Sequence, residues 1–156
     1  MGCRSERKGL YIGMSMDRKN IDLLLSQTKT FLLGQSVPRV DLLMKQIRLL
    51  DRFLKEGRAS VSGPSLLYES DGEVHCRTFE KKIVVGRKKD AELFVDAPGL
   101  SRSHFSVESI EGEGVVLIDL ASKNKTFVND EMVDRAVLVP GDVINAGDVL
   151  FIYLED

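Results

Sequence analysis

The chain has 156 residues, 43% of them hydrophobic and 29% charged, with a formal net charge of -2. That length suits one domain, or a small domain with an appendage, and the composition excludes a disordered or membrane-embedded chain. No run reaches the roughly 18 to 20 apolar residues a membrane helix needs, and the N-terminus lacks a secretory apolar core, so the expected location is cytoplasmic.

The charge is unevenly spread. Residues 1–60 hold twelve basic against six acidic side chains, and residues 61–156 hold ten against eighteen, so a basic arm precedes an acidic body. Met1-Gly2-Cys3 suggests lipidation, but Glu6 stands where a myristoylation signal needs Ser or Thr. Cys3 and Cys76 are too few for a disulfide framework and read as free thiols.

Residues 1–16, with Gly2, Gly9 and Gly13 and no sustained period, read as a flexible N-terminus. From Asp17 apolar residues recur at helical spacing (Ile21, Leu24, Leu25, Phe31, Leu32) up to a break at Gly34. Thr28 and Thr30 fall inside this pattern and read as ordinary helical residues. A second helix follows, with Ser36 as N-cap, Pro38 in the first turn and Gly57 as terminator. Val40, Leu43, Ile47, Leu50 and Leu54 form one seam along it, and Leu42, Leu49 and Phe53 a second, offset face. Residues 17–57 are therefore expected to be a helical arm, a hairpin with two apolar faces and two partners to find. One partner is the other helix; the other is the downstream body or a second copy of the chain, which would make a homodimer through the arm.

Residues 58–64 (Arg-Ala-Ser-Val-Ser-Gly-Pro) have linker composition, and beyond them the period changes to two. Ten short β-like runs follow: 65–69, 74–80, 82–86, 92–95, 104–109, 115–120, 126–128, 136–139, 142–145 and 149–154. Turn signals such as Asp71-Gly72, Pro140-Gly141 and Ala146-Gly147-Asp148 separate them. This pattern predicts a mostly β fold, an antiparallel β-sandwich over residues 65–156, and no helical stretch interrupts it to make a βαβ enzyme fold.

Three polar clusters sit on turns of this β-region: Gly86-Arg87, Ser101-Arg102-Ser103-His104, and Asp119 through Asn129. Arginines, small hydroxyls and a side-chain amide on neighbouring turns make a site for an anion such as phosphate. No P-loop, no Gly-x-Ser-x-Gly elbow and no paired catalytic constellation accompanies them, so no enzyme and no cofactor is expected. With His75 and His104 as the two histidines and no spaced Cys or His set, no metal site is expected either. Arg18, Lys19, Lys45, Arg48, Arg52 and Lys55 read as a solvated helix face, so neither nucleic acid nor membrane is the expected partner.

Gly86-Arg87, then Ser101-Arg102-x-His104, then Asp119-x-x-Ser122-x-Asn124-x-Thr126-Phe127-Val128-Asn129, then Leu138-x-x-Gly141-Asp142-x-Ile144-x-x-Gly147 together resemble a forkhead-associated (FHA) domain over about residues 64–156. The resemblance implies a sandwich of about eleven strands that binds phosphothreonine peptides through the loops at one end, a mode the handling of phosphate by arginine clusters makes physically sensible. It implies Arg87 and Ser101 as principal phosphate ligands, Arg102 and Lys123 as further contacts, and Asn124 as a hydrogen-bond partner of the peptide backbone. It assigns Gly86, His104, Ser122, Thr126 and Asn129 to support of the loops, with Asp119 helping to hold the same turn.

The chain departs from the family pattern at Lys125, where the family usually has glycine. A non-glycine residue reaches positive φ only at a cost, so the loop could take a variant turn, could relax and bind more weakly, or could use the added positive charge. Two functions follow. One is a non-catalytic phosphothreonine-reading adaptor in Ser/Thr-kinase signalling; the other is a structural assembly or oligomerisation part that uses the same fold for phosphate-independent contacts.

Overall fold

A computed structural model describes residues 40–56 and 61–155. The N-terminal 1–16, the first helix of the expected hairpin with Thr28 and Thr30, the boundary residues Ser36, Pro38 and Gly57, and the whole stretch 57–60 lie outside the described residues.

Among the described residues one helix, α1 (Val40–Lys55), precedes eleven strands: β1 (Ser65–Ser70), β2 (Glu73–Thr78), β3 (Lys82–Gly86), β4 (Leu93–Phe94), β5 (Phe105–Ile110), β6 (Gly114–Asp119), β7 (Thr126–Val128), β8 (Glu131–Val133), β9 (Arg135–Val137), β10 (Val143–Ala146) and β11 (Val149–Leu154). They form a six-stranded sheet in the order β2-β1-β11-β10-β7-β8 and a five-stranded sheet in the order β4-β3-β5-β6-β9. The expected mostly β sandwich is what the chain forms.

Two details differ from the sequence expectation. The two-residue β4 pairs with β3 in parallel, through Val85–Leu93 and Gly86–Phe94, so the second sheet is mixed. The ten expected runs also omit β8, which is short and largely exposed and so carries no alternation to read. Its hairpin turn is Asn129-Asp130, with φ of +50° and +68°, between the paired residues Val128 and Glu131. Asp71-Gly72, at +53° and +77°, closes β1 onto β2 in the same way. Positive φ at both central residues gives a two-residue turn the twist of the strands it joins, and Asn, Asp and Gly reach that region most readily.

The inner faces of the two sheets interdigitate. Phe105, Phe151, Leu66, Leu117, Ile144 and Tyr153 are among the residues sealed between them, and the Phe105 ring meets Phe151 edge-on at 5.4 Å. The Tyr153 hydroxyl donates to Glu155 Oε2 at 2.5 Å. Burial first, then that carboxylate, push the phenol well above its ordinary range.

Strands β1 and β11 are apolar on both faces because both faces are covered. Leu67, Ile152 and Leu154 point away from the sandwich core into a second cluster with Ile47, Leu49, Leu50, Phe53 and Leu54 of α1, joined by Val61 and Val74. The two offset faces read from the sequence thus converge, for these residues, on one surface of the sandwich. Each such side chain contributes roughly 1.5–3 kcal/mol by leaving water. Polar contacts set the register: Gln46 Nε2 donates to Gly141 O at 3.2 Å, and Arg52 reaches both Gly72 O (2.5 Å) and Glu69 Oε2 (2.7 Å). Among the described side chains of α1, Met44 is the large apolar one left exposed. No helix among the described residues is long and apolar enough to cross a membrane.

Candidate functional site

The three polar clusters meet at one end of the sandwich, on the β3–β4, β4–β5 and β6–β7 connections. Two irregular hydrogen bonds extend the β3–β5 ladder past its last regular pair: Arg87 N–H donates to Ser101 O (3.0 Å) and Lys88 N–H to Arg102 O (3.1 Å). Those bonds set Arg87 directly across from Ser101 and Arg102. They also explain Gly86, because a Cβ there would lie 2.0 Å from Arg102 O. The glycine is needed for close approach of two backbones, not for positive φ. Arg87 Nε donates to Leu100 O at 3.2 Å, which fixes the guanidinium and leaves its other N–H groups for a ligand.

His104 is fully buried and joins two of the loops. Its Nδ1 accepts the Ser101 N–H at 3.0 Å, and a backbone N–H can only donate, so the proton sits on Nε2, which donates to Lys125 O at 2.9 Å. Both ring nitrogens are committed to backbone, one on each of two loops. The loops are further locked where Lys123 N–H donates to Ser101 Oγ at 3.0 Å. That bond turns the hydroxyl so that its own proton is free to donate outward.

Asp119 organises the β6–β7 loop. Its Oδ1 accepts from Ser122 Oγ (2.5 Å) and Thr126 Oγ1 (2.7 Å), and its Oδ2 from Ser122 N–H (3.1 Å). Partial desolvation favours the neutral acid, but the three donors together outweigh it and hold the carboxyl below its ordinary range. Two non-glycine residues of this loop, Ala121 and Lys125, have φ of +53° and +64°. Lys125 therefore takes a left-handed conformation that glycine reaches freely and other residues reach at a cost.

Asn124 donates from Nδ2 to Gly99 O at 2.9 Å, so its amide holds the neighbouring loop as well as facing solvent. Gly99 N–H donates on its other side to Asp148 Oδ1 (3.2 Å). A Cβ on Gly99 would meet that carboxylate oxygen at 2.5 Å. Asn129, one strand further, bonds Asp142 Oδ1 (2.9 Å) and Val143 N–H (3.0 Å), and the buried Asp142 also accepts from Val139 N–H (2.9 Å).

All of Arg87, Ser101, Arg102, Lys123 and Asn124 are thus brought to one edge, supported from beneath by Gly86, His104, Ser122, Thr126 and, more distantly, Asn129. Asp148 and Gly99, the latter bonded to Asn124, are not among the residues the sequence singles out. Ala146-Gly147-Asp148 reads only as a turn, and its contact spans 49 positions. Among the described residues none of Arg87, Arg102, Lys123 and Lys125 is in an ion pair, whereas Lys88 is held by Asp90 at 3.0 Å. A groove of about 460 Å³ lies on the far side of Gly99, against α1. Its lining mixes Lys45 and Arg48 with Asp71 and Asp96 and shows no convergent chemistry.

The chain thus carries a basic loop edge with hydroxyl and amide donors on an eleven-stranded sandwich. Comparison with known families matches residues 83–147 to the FHA domain, and through this module the chain belongs to the FHA domain family. The chain is 38% identical over 69 residues to the glycogen accumulation regulator GarA of Mycolicibacterium smegmatis, an alignment covering 44% of this chain and 43% of that protein. It therefore spans under half of that curated relative. Among solved structures, the FhaA FHA domain complexed with the intracellular domain of Rv3910 is 31% identical with a TM-score of 0.51, covering 58% of this chain and 98% of that one. An FHA domain solved for the analysis of phosphothreonine-dependent FHA interactions is 29% identical with a TM-score of 0.53, covering 61% and 98%.

Proposed function

We propose that the loop edge binds phosphothreonine peptides and that the protein acts as a non-catalytic adaptor in Ser/Thr-kinase signalling. The observation that carries this reading is the pairing of Arg87 and Ser101. Arg87 stands opposite Ser101 with N–H groups to spare, and the Ser101 hydroxyl, already accepting from Lys123 N–H, has its proton left to give. A phosphothreonine offers roughly -1.5 to -2 charge and three strong acceptor oxygens to such donors. Arg102, Lys123 and Asn124 flank the pair, the first two bringing unpaired charge to the phosphate and the third an amide that can reach the peptide backbone.

The non-catalytic part rests on His104. It is the titratable ring nearest the site, and both its nitrogens are bound to backbone, so it has no free nitrogen to move a proton. The relatives support the same reading at a coarser level, since they are regulators and FHA domains characterised in phosphothreonine-dependent interactions. A phosphothreonine-containing protein is the partner this implies, with the cytoplasm as the place of action.

A phosphothreonine peptide library presented to the whole chain tests the proposal. Binding is expected to disappear on phosphatase treatment and to fall by about 30-fold or more in Arg87→Ala, as befits loss of a charge-assisted donor pair worth about 2–3 kcal/mol. Binding indifferent to both would overturn it in favour of phosphate-independent assembly.

A further inference from the structure

Lys125 sits at a backbone position where lysine has a cost and, in the free protein, no visible return. Its φ of +64° lies in the left-handed region that L-residues other than Asn and Asp enter reluctantly and glycine enters freely. The residue cannot relax, because its carbonyl is pinned by the buried His104 Nε2–H. Its side chain is exposed and meets no carboxylate among the described residues. Glycine would satisfy the backbone better, so what lysine adds is its ammonium group, and that group faces solvent beside Asn124.

The charge pattern says what the ammonium is for. Of the ten basic residues in 61–156, six lie on the loops of this one end: Arg87, Lys88, Lys89, Arg102, Lys123 and Lys125, on a body that otherwise carries an acidic excess. Asp90 neutralises Lys88. One phosphate is matched by Arg87 and Ser101 with Lys123, which leaves cations over. Resting on the phosphothreonine reading above, we propose that Lys125 is a specificity residue that recognises an acidic side chain flanking the phosphothreonine. The preferred ligands are then phosphothreonine peptides with Asp or Glu beside the modified residue.

The test uses the full chain and two phosphothreonine peptides, one with neutral flanks and one with Asp or Glu at the adjacent positions, measured by fluorescence anisotropy. The wild-type protein prefers the acidic peptide by about two- to fivefold at low salt, the range of an exposed ion pair, and the preference fades at high salt. Lys125→Ala and Lys125→Gly both lose the preference while keeping affinity for the neutral peptide, and Lys125→Arg keeps it. Lys125→Gly also raises the melting temperature by about 2–4 °C as the left-handed strain is relieved, which Lys125→Ala does not. A wild-type protein without the preference, a preference that survives in Lys125→Ala, or an equal loss for both peptides would each overturn the assignment. Arg87→Ala separates the two claims: if it abolishes binding of the neutral peptide, the phosphothreonine reading stands whatever Lys125 does. A wild-type protein that binds neither peptide overturns both.

Discussion

Beneath α1, Leu50 and Phe53 are sealed against Leu67, Ile152 and Leu154, whereas at the loop end Arg87, Arg102, Lys123 and Lys125 stand in solvent on a frame of hydrogen bonds. The first region is apolar and closed, and accepts only apolar exchanges that keep its volume. The second holds cations near one another, places Ala121 and Lys125 at positive φ, and leaves donors without acceptors. Such features oppose stability and are found where a ligand offsets them. The two regions are joined only through the core between the sheets, so the comparison separates what holds the sandwich from what the sandwich presents.

That separation can be broken experimentally, and the largest effect belongs to the seam. Phe53→Ala should destabilise the protein by about 3–5 kcal/mol in denaturant unfolding, because it opens a cavity under the helix. Phosphopeptide affinity measured well below the transition should be unchanged; a matching loss of affinity would show that α1 and the loops act as one unit.

His104→Ala comes next, because it touches both regions' concerns at once. It removes a buried ring and orphans Ser101 N–H and Lys125 O, so a loss of about 2–4 kcal/mol in stability is expected, with affinity falling as the two loops part. Ser101→Ala should act on binding alone. Losing one charge-assisted donor to phosphate should weaken binding by about tenfold while leaving the unfolding midpoint nearly unmoved.

The smallest effect is a matter of pH. The second phosphate proton binds near about pH 6, so affinity should fall by up to about tenfold between pH 7 and 5. Asp119 contributes its stability over the same range, because its folded carboxyl titrates below its ordinary value and its contribution is lost only as pH falls through that lower value. Far-ultraviolet circular dichroism should therefore stay constant while binding weakens. Parallel loss of both signals would mean that the loop frame, not the ligand, is titrating.

Much of this arrangement was legible in the chain itself, for identifiable reasons. Strands such as β3 and β11 declare themselves by short β-branched and aromatic runs between turns, and the proposed phosphate-binding edge by residues whose polarity has no use in a core. What escaped is long-range or nearly featureless. Strand β8 is three residues with largely exposed side chains, and β4, although inside the expected run 92–95, pairs in parallel with its predecessor, which no local pattern announces. The clamp of Asp148 and Asn124 on Gly99 depends on three loops meeting, which no local pattern records. Lys125 was legible as an exception but not in its outcome. Only the bond from His104 explains why a lysine stays in a glycine's conformation.

The central claim is that recognition lives on the loop end and not on the seam, and amide chemical-shift mapping of the labelled protein tests it most directly. On titration with a phosphothreonine peptide, the amides of Arg87, Lys88, Ser101, Arg102, Lys123 and Asn124 should shift, those of Leu50 to Lys55 should stay in place, and the unphosphorylated peptide should move neither set. Shifts confined to α1 and β2, or equal shifts with both peptides, would contradict the account.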